Sequence, residues 1–137
     1  MKITQNSKCP CKSGQKYKKC CKTFHDGEFP KTALLLMKSR FSAYAIGLSD
    51  YIIETTYKTH ENFKNPSWKT DTDYFSSITK FLNLKILDVK NGFEESFVTF
   101  KATLLSNANN DISFTEKSRF LKEDNRWFYE SGEIFSK

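Results

Sequence analysis

The residues best equipped for chemistry are four cysteines in the spacing C-x-C-x8-C-C: Cys9, Cys11, Cys20 and Cys21. Zinc prefers four tetrahedral nitrogen or sulfur ligands, and four thiolates close the coordination sphere, which makes such a centre structural rather than catalytic. Pro10 stiffens the first pair, and Ser13-Gly14 permits the turn that returns the chain to the second. Tyr17 can pack over the site, and the lysine-rich return stretch can form a short helical turn. A disulfide between adjacent Cys20 and Cys21 is strained, and redox motifs separate their cysteines by two residues. The expectation is one structural Zn2+ on these four residues, with iron as the main competitor. A redox pair or unrelated buried cysteines are the readings without metal. A segment this short cannot bury a core, so the metal would supply its folding energy.

Charge concentrates in the same place. The 137 residues carry a net charge of +6. Residues 1–22 hold seven Lys and no acid, whereas residues 23–137 carry 15 basic and 16 acidic side chains, a net of −1. Lys12, Lys16, Lys18, Lys19 and Lys22 are therefore the candidate partner surface, and an acidic partner is favoured. Lysines make up 19 of the 22 basic residues, so part of this richness is compositional. Nucleic-acid readers lean on Arg and on aromatic stacking. Only Tyr17 is aromatic here, which ranks RNA or the ribosome below a protein partner. No apolar run is long enough to span a membrane, and the N-terminus lacks the apolar stretch of a secretory signal. The expected compartment is the cytoplasm, where thiols stay reduced.

The length suits one compact domain, which excludes an enzyme with separate cofactor and substrate domains. Thirteen Phe, six Tyr and two Trp can fill its core. Residues 24–31 read as a connector. Thr32 is a plausible N-cap for a helix to about Ile46 with Gly47 as C-cap, its core side formed by Leu36, Met37, Phe41, Tyr44 and Ala45. Ser49 or Asp50 could cap a second helix, residues 60–69 read as a loop, and a third helix is expected over about 72–82. The period then changes to two. Strands are expected at 84–90, 95–106, 112–122 and 126–131, with Asn91-Gly92 as a hairpin turn and residues 133–137 extending the last strand or fraying. Helices first and a meander after give an α+β fold: one strongly curved antiparallel sheet with about three helices on one face. The division is a metal-binding segment, 1–23, and an α+β domain, 24–137.

The segment CPCKSGQKYKKCC resembles the SEC-C motif, a small zinc-binding module known from the C-terminal end of the SecA translocation ATPase. Cys9, Pro10, Cys11, Ser13, Gly14, Tyr17, Cys20 and Cys21 match its pattern. Lys12 and Lys22 stand where that family commonly has Gly, which bears on turn geometry rather than on metal binding. The resemblance implies zinc binding and contact with protein partners, as in SecA with the chaperone SecB. The following stretch, including Phe24-His25, Gly27, Pro30, Ser39-Arg40, Ser42-Ala43-Tyr44 and Asp50-Tyr51, resembles the uncharacterised bacterial YchJ family. Near the end, Glu116 to Phe120 and Trp127-Phe128-Tyr129 fit as well. The resemblance implies a domain like nuclear transport factor 2, a cone of three helices against a curved sheet that can enclose a cavity.

Ile112, Phe114, Glu116, Ser118 and Phe120 share one strand face. A buried carboxylate there needs a partner or a wet cavity, and Arg40 is the candidate partner. The functional reading is a pocket built from Arg40, Tyr44, Glu116, Ser118, Tyr129 and His60. The plainer and preferred reading is an ion pair that fixes helix to sheet. His25 could reach the metal but is expected only to hydrogen-bond or pack, and His60 to be a surface residue. No nucleophile–base pair, phosphate loop or H-E-x-x-H motif is present. An adaptor using the basic zinc knob is the leading function. A small-molecule binder or enzyme using the cavity is the alternative, favoured if the cone is open rather than plugged by Phe and Tyr.

Overall fold

The computed structural model describes residues 3–135; Lys2 of the basic segment and residues 136–137 of the expected last strand lie outside them. The chain begins with the cysteine segment. Lys8 and Lys16 form a bridge across its turn, and a 3-10 turn over Tyr17–Lys19 leads into the short helix α1, Cys21–His25. Helix α2 runs Ala33–Ile46. Thr32 caps its start by accepting from the Leu35 N–H at 3.1 Å, and Gly47 ends it at φ 93°, a left-handed turn that favours glycine. Helix α3 follows at Ser49–Glu54; its N-cap is Leu48 rather than Ser49 or Asp50, and no side chain caps it.

The third expected helix lies earlier than the apolar spacing implied. Helix α4 spans Trp68–Ser77, after a 3-10 turn at Glu61–Lys64 within the expected loop. Trp68 is buried and packs its edge on Phe63, with ring centroids 4.8 Å apart, and this anchors the helix start. Its end is set by the sheet. Strand β1, Thr79–Lys90, pairs with β2 from its first residue, so Phe81 and Leu82 belong to a strand and not to a helix.

The sheet is an open antiparallel meander in the order β1-β2-β3-β4, with β2 at Glu95–Ser106, β3 at Phe114–Glu123 and β4 at Arg126–Ile134. Its curvature comes from irregularities in register. Leu82 and Leu87 are extra residues in β1, and both point to solvent. Each bulge sharpens the local twist and keeps Phe81, Leu84, Ile86 and Val89 on the core side. The β1–β2 connection runs over Asn91–Glu94, longer than a two-residue turn. Asp124 and Asn125, at φ 51° and 64°, make the tight turn into β4. Ile112 sits outside β3 and is exposed. The core lies between α2 and the concave sheet face, around Leu36, Met37, Phe41, Val98, Leu104, Phe120 and Trp127. The free edge of β4 is partly covered by residues 55–57, whose backbone exchanges hydrogen bonds with Tyr129 at 2.7 and 2.8 Å.

Candidate metal centre and cavity

The turn at Ser13-Gly14 brings the two cysteine pairs together. The sulfurs of Cys9, Cys11, Cys20 and Cys21 all lie within 4.8 Å of one another. Those of Cys11 and Cys20 are 3.6 Å apart. Tetrahedral sulfurs at about 2.3 Å from a metal stand about 3.8 Å from each other, so the donor set fits one metal ion. Cys9, Cys11 and Cys21 are buried, and Tyr17 packs beside them. Hydrogen bonds from the Cys11 and Cys21 thiols hold Cys9 far below the usual thiol range. The bonds of Cys21 to Cys11 and Cys9, followed by its burial, push Cys21 far above that range. Four crowded sulfurs thus do not share their negative charge readily, and a dication is the group that lets the others ionise.

The return turn carries a cost that glycine would avoid. Lys12 has φ 67°, in the left-handed region, at one of the two positions where this chain departs from a Gly common in the SEC-C motif. A residue with a Cβ takes this conformation at a cost of about 1 kcal/mol. Lys22, the other departure, sits in α1 and pairs with Asp26 at 2.6 Å. Lys12, Lys16, Lys18 and Lys19 are exposed, and none forms an ion pair among the described residues.

The centre is fastened to α2. Ser42 donates to the Cys21 sulfur at 3.3 Å and lies 3.5 Å from that of Cys9. His25 is not a ligand. Its Nδ1 stands 2.6 Å from the Tyr17 hydroxyl and its Nε2 2.8 Å from the Ser39 carbonyl oxygen. Since a carbonyl only accepts, Nε2 carries the proton and Nδ1 accepts from Tyr17. Burial holds His25 below the usual imidazole range, which suits this neutral tautomer.

On the opposite side of α2 the cone is not filled. A cavity of about 460 Å³ is lined by Arg40, Tyr44, His60, Glu116, Ser118 and Tyr129, among others. Every residue of the expected pocket therefore faces one space. The expected Arg40–Glu116 ion pair does not form among the described residues. Arg40 is taken by the carbonyl end of α3, where its Nη1 donates to Ile52 O at 3.0 Å, Thr55 Oγ1 at 2.8 Å and Thr56 Oγ1 at 3.1 Å. Its guanidinium lies over the Tyr129 ring, 4.5 Å from the centroid. Glu116 instead accepts from the Ser118 hydroxyl at 2.5 Å and from the Tyr129 hydroxyl at 3.2 Å. Burial, with the Glu116 charge adding to it, pushes the Tyr129 phenol upward and keeps it a donor. His60 stacks on Trp68 with an interplanar angle of 12°, so it is a wall of the cavity rather than a bare surface residue.

Two backbone features make this arrangement possible. Glu130 is an extra residue in β4, because Arg119 pairs with Ser131 and Phe120 with Tyr129. The bulge sets Tyr129 beside Phe120 on the concave side. Gly132 lies opposite Ser118. A Cβ there would run into the Glu116 carboxylate and stand 2.6 Å from the Tyr129 hydroxyl oxygen.

Residues 32–132 match the family model described as "YchJ, middle NTF2-like domain", and residues 6–22 match the SEC-C motif. The chain belongs to the YchJ family. A UPF0225 protein of Serratia proteamaculans is 39% identical over 129 residues, covering 90% of this chain and 81% of the relative. Another, from Photorhabdus laumondii, is 33% identical, covering 90% and 79%. Among solved structures, a SEC-C motif protein of Rhodopseudomonas palustris superposes with a TM-score of 0.82 at 28% identity, covering 93% of this chain and 98% of that one. A SEC-C motif protein of Psychrobacter arcticus gives 0.80 at 20% identity, covering 97% and 85%, and bears on the fold alone.

In this YchJ-family chain the residues that sequence reasoning missed are Ser42, Trp68, Thr55, Thr56 and Gly132. Gly132 carried a weak signal, as a lone glycine inside a strand pattern marks close approach. Gly132→Ala should lower stability by about 1–3 kcal/mol, the usual range for overpacking. A lower urea midpoint at unchanged slope checks this, and an unchanged midpoint would show that Glu116 and Tyr129 yield freely.

Proposed function

We propose that the cavity is the working part of the protein, a binding site for a small molecule, and that the cysteine centre holds one structural zinc. The single observation that supports the cavity reading is that the cone is open and carries Arg40, Glu116, Ser118 and Tyr129 on its wall. Pockets of about 300–1,000 Å³ with a few convergent polar groups on apolar walls are the usual form of ligand sites. Indole, a neutral aromatic probe, should shift the NMR signals of Phe100, Phe114 and Tyr129 in the full chain. If indole perturbs none of the lining residues, the cavity reading is wrong.

Zinc is supported by the donor chemistry. Four cysteine sulfurs in a closed tetrahedral set suit Zn2+, and the SEC-C match adds the family's pattern. A closed set also leaves no position for a reacting group, so the metal's task is to hold the segment's shape. A reducing compartment such as the cytoplasm suits four thiols that must stay reduced. Elemental analysis of protein purified without chelator should give one zinc per chain. Iron at that level, or no metal with all four thiols titrating, would overturn the assignment.

A second reading is supported by the free charges of Lys12, Lys16, Lys18 and Lys19. They stand on a segment fixed to α2, where an acidic protein could meet them without ordering the chain first. The triple change Lys16→Glu, Lys18→Glu and Lys19→Glu should abolish capture of such a partner while leaving zinc content intact. Recovery of the same proteins by both forms would remove the lysines from consideration.

A further inference from the structure

Arg40 and Glu116 line the cavity without meeting; the other carboxylate of the lining, Asp71, is exposed and accepts from Asn65 Nδ2 at 3.4 Å. Arg40 is only 7% exposed, yet its three hydrogen bonds all leave from Nη1 and all end on neutral acceptors. No carboxylate pairs with it among the described residues. Glu116 receives two hydroxyls, both on Oε2, and no cation pairs with it either. A buried charge is costly unless it is paired; Arg40 is buried and Glu116 half-buried, and each has only partial compensation. Tyr129 keeps them apart. The guanidinium lies on its ring face, and the carboxylate lies at its hydroxyl tip.

We propose that the cavity binds a small aromatic zwitterion, an α-amino acid with an aromatic side chain or a close analogue. This rests on the cavity reading above and names its ligand class. The guanidinium offers a donor fork that matches a carboxylate. Glu116 Oε1, which carries no hydrogen bond among the described residues, accepts from an ammonium. Much of the remaining wall is aromatic, beside Met37, Ala102 and Leu104. Phe100 and Phe114 meet edge to face at 6.0 Å, and Phe120 meets Tyr129 at 5.9 Å. Such edges receive a ring at offset or T-shaped angles. A simple anion would face the like charge of Glu116. A simple cation would face Arg40. A molecule carrying both charges at one end and an aromatic body at the other answers each group at once. The cavity, at about 460 Å³, takes one ring and its polar end with room for substituents.

The test uses the zinc-loaded full chain and three probes of nearly equal size. L-phenylalanine carries both charges, 3-phenylpropionate only the carboxylate and phenethylamine only the ammonium. Calorimetric titration should show L-phenylalanine binding at least roughly tenfold more tightly than either analogue, since a site built for a polar group rejects molecules that lack it. Glu116→Gln should bring L-phenylalanine down to the level of 3-phenylpropionate without weakening 3-phenylpropionate itself, a change that a merely structural role would not produce. Should that variant not fold, the three-probe comparison on the unaltered protein still decides. L-phenylalanine binding no tighter than the better analogue overturns the proposal. If indole binds in that case, the cavity reading stands and only the ligand class falls. If indole fails as well, both fall.

Discussion

Helix α2 has to be buried on two opposite sides at once, and the remaining structure is arranged around that requirement. Ser39, Ser42 and Ile46 form one stripe at helical spacing. The stripe receives the cysteine segment through His25, Cys9 and Cys21. Met37, Arg40, Phe41 and Tyr44 form the other and look into the cone. Serine is the residue that lets a turn of chain approach the helix closely while still offering a hydroxyl to sulfur. A larger side chain at 42 would hold the sulfurs off, and an apolar one of equal size would leave them with fewer donors.

The same helix shows what a sequence reveals and what it hides. Its cap at Thr32, its stop at Gly47 and its apolar side were legible because local chemistry sets them. The serine stripe was not, since the helical spacing of apolar residues says nothing of what Ser39 and Ser42 meet until the partner segment is known. Likewise, the strand order followed from the alternating pattern and the turns. The face of β3 that holds Glu116 and Ser118 was legible for the same reason. The start of α4 was not, because it depends on Trp68 finding Phe63, and its end depends on β1 being claimed by β2. The bulge at Glu130 left no mark in the residue pattern, although it places Tyr129. The ion pair expected between Arg40 and Glu116 failed for a related reason. Local composition could show that both charges face inward, but not that the end of α3 would supply carbonyl and hydroxyl acceptors to Arg40 first.

Charge is also divided by this arrangement. The basic excess of residues 1–22 shares its segment with a centre which, with a dication on four thiolates, would carry −2 of its own. Across α2 the cone handles its charges differently, with Arg40 and Glu116 set on two sides of a single tyrosine. One side of the helix seats four sulfurs whose geometry fits a metal, and the other keeps Arg40 and Glu116 separate in a partly aromatic space.

The way the cysteine segment sits on α2 limits how portable it is. Residues 6–22 can be recognised as a motif by themselves, but the surface they rest on belongs to residues 39–46. Transplanted to another helix, the motif would keep its ligands and lose its seat unless the serines travelled with it. Cut away, it would leave Ser42 and Ile46 facing water, with His25 and the Tyr51 hydroxyl still on Ser39 but His25 no longer held by Tyr17. The boundary drawn by sequence similarity and the boundary drawn by packing are thus two different lines through the same molecule.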